Sequence, residues 1–254
     1  MTVANFDNSR LHAVPVERSE DQTMMKRIPV MLSSLLLGVC LSQASIISFD
    51  FAGSDPGLHS PWNTGTTTDP NLSTTGFTLG PGVVGNTGDD RFNAKSWSEG
   101  SSLSLAISGE DYFGFVITPN AGYALNLNSA EVAFKLQVSG TGPHDISLMS
   151  SVGGFSSGNE LQNWTFTSGA HTSSFSYDFL SSGYDSISSP VEFRIYGFDA
   201  SGSGGTLSAN AFSVGGSVVP VPEPATWGVF SGFALFAILG VHVWRQNPVR
   251  RSAH

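Results

Sequence analysis

Gly154-Phe155-Ser156-Ser157-Gly158 matches the Gly-x-Ser-x-Gly pattern that presents a nucleophilic serine. That elbow works where a strand enters the turn and a helix leaves it, in an α/β sheet. Here the pentapeptide sits in a Gly/Ser-rich turn region, where a solvated loop serine is the plainer reading. His59, His144 and His171 lie far apart, without the i, i+4 spacing that puts two imidazoles on one helix face for zinc. Asp89-Asp90, with Glu99 and Asp111 downstream, offer oxygen donors of the kind Ca²⁺ takes in loops, although no EF-hand or Asp-rich repeat accompanies them. Glycoside hydrolysis needs two carboxyl groups at a set separation, and nothing in the sequence singles out a pair. Trp62, Trp97 and Trp164, with Tyr123 and Tyr184, are the residues able to stack on sugar rings. Trp62 and Trp97 lie in a loop-rich segment and are the candidate glycan contacts, although in sandwich proteins a tryptophan is more often core than platform. No catalytic residue and no cofactor is expected, and the chain reads as non-catalytic.

The elements that would carry these residues are strands. Between Ser45 and Val219 apolar residues alternate with polar ones at period two. Ile47-Ser48-Phe49-Asp50-Phe51 opens the series, then Leu103 to Ile107 and Phe113 to Ile117. Val132 to Val138 gives the cleanest alternation, with Lys135 and Gln137 on the polar face. Ile146 to Leu148, Trp164 to Phe166, Phe175 to Tyr177, Val191 to Ile195 and Phe212 to Val214 follow. Turn signals separate them: Thr118 to Gly122, Ser139 to Pro143, Val152 to Gly154, and Ser201 to Gly205. Gly53 to Gly100, rich in Gly, Thr, Asn and Pro, predicts long loops with one or two short strands. No sustained 3.6-residue period appears before Pro220. The fold class expected is all-β, an antiparallel β-sandwich with jelly-roll topology, over residues 45–219.

This region holds fifteen acids against four bases, within a chain whose formal net charge is −9. Such a surface repels nucleic acid and anionic lipid, so no nucleic-acid partner is expected.

Residues 1–44 read as a leader. Met24-Met25-Lys26-Arg27 precedes an apolar stretch from Ile28 to Leu41, then Ser42-Gln43-Ala44. These are the basic, apolar and cleavage parts of a secretory signal peptide, with cleavage expected between Ala44 and Ser45 and translation starting at Met24 or Met25. The single cysteine, Cys40, lies inside this leader behind Val39, which is not a lipoprotein arrangement. The exported part therefore has no disulfide and relies on its core.

At the other end Trp227 to Trp244 carries no Asp, Glu, Lys or Arg, and Arg245, Arg250 and Arg251 follow. As a helix at ~1.5 Å per residue this run is about 27 Å long, against a hydrocarbon layer of ~30 Å. Terminal tryptophans and a basic tail on the inner side complete the pattern of one transmembrane helix at 227–244. Immediately before it stands Pro222-Glu223-Pro224. Motif, span and basic tail together (residues 220–254) resemble the PEP-CTERM sorting signal of Gram-negative bacteria. That resemblance implies an exosortase-type membrane protease-transpeptidase as partner, transient anchoring in the inner membrane, and delivery to the cell surface or extracellular matrix.

A second resemblance covers Tyr112 to Tyr123, Leu125 to Pro143, Val191 to Asp199, Gly205 to Leu207 and Phe212 to Val214. These stretches look like the jelly-roll ectodomains of PEP-CTERM-bearing proteins, similar to lectin-like or carbohydrate-binding modules. The function expected is a non-catalytic surface or matrix protein associated with envelope or exopolysaccharide. The alternative is a carbohydrate-binding module, with or without calcium.

Overall fold

The computed structural model describes residues 44–55, 59–167, 169–180 and 182–222. The leader up to Gln43, Glu223, Pro224, the apolar run 227–244 and Arg245, Arg250 and Arg251 lie outside the described residues.

The chain runs through β1 (Ser45–Asp50), β2 (Thr67–Thr68), β3 (Leu72–Thr74), β4 (Thr78–Leu79), β5 (Val84–Gly85) and β6 (Phe92–Lys95) into a short helix, α1 (Leu103–Gly109). After it come β7 (Tyr112–Pro119), β8 (Tyr123–Asn126), β9 (Glu131–Val138), β10 (Pro143–Ser150), β11 (Gln162–Thr165) and β12 (His171–Asp178). A 3-10 turn at Ser182–Tyr184 precedes β13 (Val191–Ala200), β14 (Leu207–Gly215) and β15 (Ser217–Pro220).

The first sheet has the order β12-β9-β14-β1-β2, with β6 also on β14 and β5 on β6. The second has the order β11-β10-β13-β7-β3, with β4 also on β7. Every pairing among these strands is antiparallel. The long strands form β1-β14-β9-β12 in one sheet and β7-β13-β10-β11 in the other. Taken in chain order, these eight strands change sheet at each step except β10 to β11, which is jelly-roll connectivity. The expected antiparallel sandwich and its topology are therefore observed.

Phenylalanines join the two inner faces. Phe49 and Phe212 of the first sheet each stand 5.0 Å from Phe115 of the second, centroid to centroid. Phe134 stacks on Phe212 at 5.5 Å, and Phe92 meets Phe113 edge-on at 5.5 Å. Such offset and edge contacts are the favourable geometries for rings and add to the area they bury. β9 follows the alternation its sequence predicts: Val132, Phe134, Leu136 and Val138 are buried, while Glu131 and Lys135 are exposed.

Two expectations are corrected. Leu103 to Ile107, expected as a strand, forms the start of α1. Leu103, Ala106 and Ile107, at i, i+3 and i+4, line one side of that helix and meet Tyr112, Met149, Tyr196 and Phe198. Leu105 is left 54% exposed. The helix ends where Glu110 turns to φ 58°, the left-handed conformation that closes helices. Residues 53–100 contain five short strands rather than one or two, because pairing with β1, β7 and β14 fixes segments too short to carry a pattern. Strands β8 and β15, unmarked in the sequence, pair as a separate two-stranded ribbon.

Candidate functional site: the open face of the first sheet

Trp62 and Trp97 do not present their faces to solvent; this corrects the expectation of glycan stacking. They are 6% and 2% exposed. Trp62 donates its indole N–H to the Asp50 carbonyl at 2.8 Å, and Trp97 to the Ala94 carbonyl at 2.9 Å. In a segment poor in aliphatic residues these rings are the local core, and a buried indole needs such an acceptor. Trp164 is half-buried and meets Phe134 edge-on at 5.3 Å.

Asp90 accepts a hydrogen bond from the Gly53 N–H at 2.8 Å, tying the chain after β1 to the turn before β6. Asp89 beside it is exposed. Asp111 is buried, and desolvation pushes its carboxyl above the ordinary aspartate value of 3.8 against a smaller opposing effect of the Ser98 N–H. Among the described residues no group of three His, Cys, Asp or Glu side chains could hold a metal ion. Ser156 lies in an irregular turn without the flanking strand and helix of a nucleophile elbow. The histidines have partners elsewhere: His144 lies 3.7 Å from Asp199, and His171 contacts the Gly169 carbonyl at 2.8 Å.

The second sheet's outer face is covered. α1 lies on β13, and the turn after β10 brings Phe155 over the same strand. Arg194 is clamped there, its guanidinium carbon 4.1 Å from the Tyr112 ring centroid and 4.0 Å from that of Phe155. It donates to Glu192 Oε1 at 2.6 Å and to the Tyr196 hydroxyl at 3.0 Å. These bonds hold its pKa above the ordinary arginine value despite burial. This cation is fully engaged and acts as a bolt between loop and sheet.

Among the described residues the first sheet's outer face is open to solvent at Ser174, Ser176, Lys135, Ala211 and Asp50, while Ser208 and Asn93 toward β6 are buried. Strand register places its residues in rungs across the sheet. Ser174, Lys135, Ala211 and Asp50 form one rung. Ser176, Ala133, Ser213, Ser48 and Thr67 form the next. Thr172, Gln137, Ser208 and Asn93 form a third, where Ser208 donates to Asn93 Oδ1 at 2.9 Å and Arg91 to Gln137 Oε1 at 3.2 Å. Rungs on one face recur every two residues, roughly 6.7 Å, and strands lie ~4.8 Å apart. A groove of about 220 Å³ runs over Ala133, Ala211, Ser174 and Ser213 beside Lys135, with Phe134 and Phe175 beneath.

The first two rungs can donate and accept hydrogen bonds over a shallow area. They suit a hydroxyl-rich, uncharged ligand laid flat. Lys135 was visible in the sequence as the polar side of β9; the small residues around it are the outer halves of the same alternation. What could not be read was which sheet would be left uncovered.

Pro222, the first residue of the sorting motif, is described and lies beside β8 in a second pocket of about 340 Å³ lined by Pro119, Tyr123 and Val221. Ala44 and Ser45, the expected cleavage pair, lie at the start of β1. Among the described residues no helix is long and apolar enough to cross a membrane.

No protein-family profile matches this sequence, and no curated protein does. Among solved structures the chain is similar to a family 29 carbohydrate-binding module from Piromyces equi, with 10% identity, TM-score 0.32, and coverage of 67% of this chain and 91% of that one. It is also similar to the K1 cleaved adhesin domain of Lys-gingipain from Porphyromonas gingivalis W83, with 15% identity, TM-score 0.32, and coverage of 59% and 92%. The fold assignment stands on the strand order above.

Proposed function

We propose that this chain is an exported, non-catalytic surface protein whose jelly roll lays neutral polysaccharide on the open face of the first sheet. Residues 220–254 route it through the membrane as a PEP-CTERM-type signal. The observation that carries the binding part is the contrast between the faces. One is sealed by α1, Phe155 and Arg194, while the other exposes a lattice of Ser, Thr and Ala around Lys135. The acidic balance of the domain disfavours anionic ligands, so the ligand is a neutral chain of the envelope or exopolysaccharide.

The test is electrophoresis of the folded protein through gels containing neutral glucan or mannan, beside gels containing an anionic polysaccharide. Retardation is expected with the neutral polymers alone. It should vanish in Ala211→Trp, which fills the groove from an exposed position and leaves the melting temperature unchanged. Absence of retardation on every neutral polymer, or retardation indifferent to Ala211→Trp, overturns the binding reading. The routing reading is tested apart: Pro222, Glu223 and Pro224 changed together to alanine should leave uncleaved precursor in the membrane. Unaltered processing would remove it.

A further inference from the structure

The end of the sandwich from which the C-terminal segment leaves is unlike the other end. β15 pairs with β8 along its whole length, from Ser217 opposite Asn126 to Pro220 opposite Tyr123. Val221 then donates its N–H to the Gly122 carbonyl at 2.8 Å. The chain is thus held on the domain up to Val221, and no loose stalk precedes Pro222. The same end gathers Ser45 beside Gly215 and Asp178 beside Glu131. It also gathers the turn after β12, whose Phe179 carbonyl accepts from the Ser129 N–H, and the turn after β10, whose Ser151 N–H reaches the Glu192 carbonyl.

Large apolar side chains are exposed here. Leu180 is 83% exposed, Val221 43%, Val152 42% and Val219 37%. At the far end the turn from Ser201 to Gly205 carries no large apolar side chain, and Val84 on the neighbouring β5, 51% exposed, stands alone there.

We infer that this end is a membrane-docking surface, with Leu180, Val219 and Val221 resting in the headgroup layer of the bilayer that anchors the chain. The inference rests on the reading of 227–244 as a span. Five residue steps separate Pro222 from Trp227, and a chain extends at most ~3.6 Å per residue, about 18 Å in all. With Trp227 at the interface, a domain held on the chain to Val221 has nowhere to stand except against the lipid. Apolar side chains exposed at that end gain by leaving water there, whereas single exposed apolar residues elsewhere, such as Leu105, need no such account. Glu131, Asp178 and Asp185 around the patch are exposed acids, so the surface fits uncharged or zwitterionic headgroups and is weakened by anionic ones.

The test uses the full chain with Cys40→Ser, inserted in phosphatidylcholine vesicles. A fluorophore is attached at Leu180→Cys or, as control, at Gly204→Cys in the far turn. Nitroxide-bearing lipids, with the nitroxide near the headgroup, serve as quencher. Quenching severalfold stronger at position 180 than at 204, and reduced when phosphatidylglycerol is added, is the expected result. Equal quenching at both positions, in chain that resists alkaline carbonate extraction, overturns the docking surface while leaving the span intact. Release of the chain by carbonate overturns the span and the docking surface with it.

Discussion

The six-membered ring of Trp97 occupies the space where a side chain on Gly197 would begin. A Cβ placed on Gly197 would stand 2.7 Å from Trp97 Cε3 and 3.0 Å from Pro143 Cγ. The indole also meets Phe113 edge-on at 4.9 Å, and its N–H is held by the Ala94 carbonyl. Gly197, in the middle of β13, is therefore the seat of a tryptophan that arrives from a hundred residues upstream in sequence. Gly197→Ala should cost about 1–3 kcal/mol by overpacking, and Trp97→Ala about 3–5 kcal/mol by leaving a cavity. The double variant should lose less than the sum, because each change relieves the other. Urea denaturation of the three variants measures this, and strict additivity would contradict the seat.

Arg194 holds the turn that carries Phe155. Arg194→Met keeps the length but removes the ion pair with Glu192, the bond to Tyr196 and the attraction to two rings. Exposed pairs contribute little, but this one is largely shielded and shares its cation with both rings, so a loss of about 1–2 kcal/mol is expected. The turn from Ser151 to Glu160 should become cleavable by protease before the domain melts. A variant whose turn stays resistant would mean that Phe155 alone holds the loop.

Asp111 predicts the direction of a pH effect. Burial raises its pKa in the folded state above 3.8, so the folded protein binds the proton more tightly than the unfolded chain does. Below 3.8 both states are protonated and no penalty exists; as pH rises through the folded-state value the buried charge forms and stability falls. Asp111→Asn should therefore match the parent in acid and exceed it in melting temperature at neutral pH. Melting curves across that range decide it, and a variant weaker at neutral pH would show that the carboxylate's bond to the Ser98 N–H outweighs desolvation.

How far such features were legible in the sequence depends on the length of the pattern. β9 declares itself because eight residues alternate without a break. α1 does not, because Leu103, Leu105 and Ile107 satisfy period two while Leu103, Ala106 and Ile107 satisfy the helical spacing, and seven residues cannot separate the two. Strands β3, β4 and β6 are fixed by partners far along the chain, β7 and β14. The Gly- and Thr-rich composition around Trp62 and Trp97 pointed to solvent. The same lack of aliphatic residues is what draws both indoles inward. The open face was half visible, as the polar positions of β9 and β12. Its availability depends on a cover built over the opposite sheet by Leu103, Phe155 and Arg194, a juxtaposition no local pattern carries.

The position of β1 limits where a leader can be cut. β1 lies between β14 and β2, with Ile47 and Phe49 almost wholly buried. Phe49 touches Phe77 at 5.3 Å, Phe115 at 5.0 Å and Phe212 at 6.5 Å, so one ring joins both sheets. Cleavage between Ala44 and Ser45 leaves this strand whole, and the Ser45 hydroxyl still donates to the Ile47 carbonyl at 2.7 Å. Removing the strand discards the burial of Ile46, Ile47 and Phe49 at about 1.5–3 kcal/mol each, and it opens the backbone of β14 to water. That loss is comparable with the ~5–15 kcal/mol by which domains are stable. A protein beginning at Ser45 should therefore melt cooperatively at the temperature of longer forms, and one beginning at Ala52 should not fold. Calorimetry on the two distinguishes them, and a cooperative, near-parental transition in the shorter protein would show that β1 is dispensable.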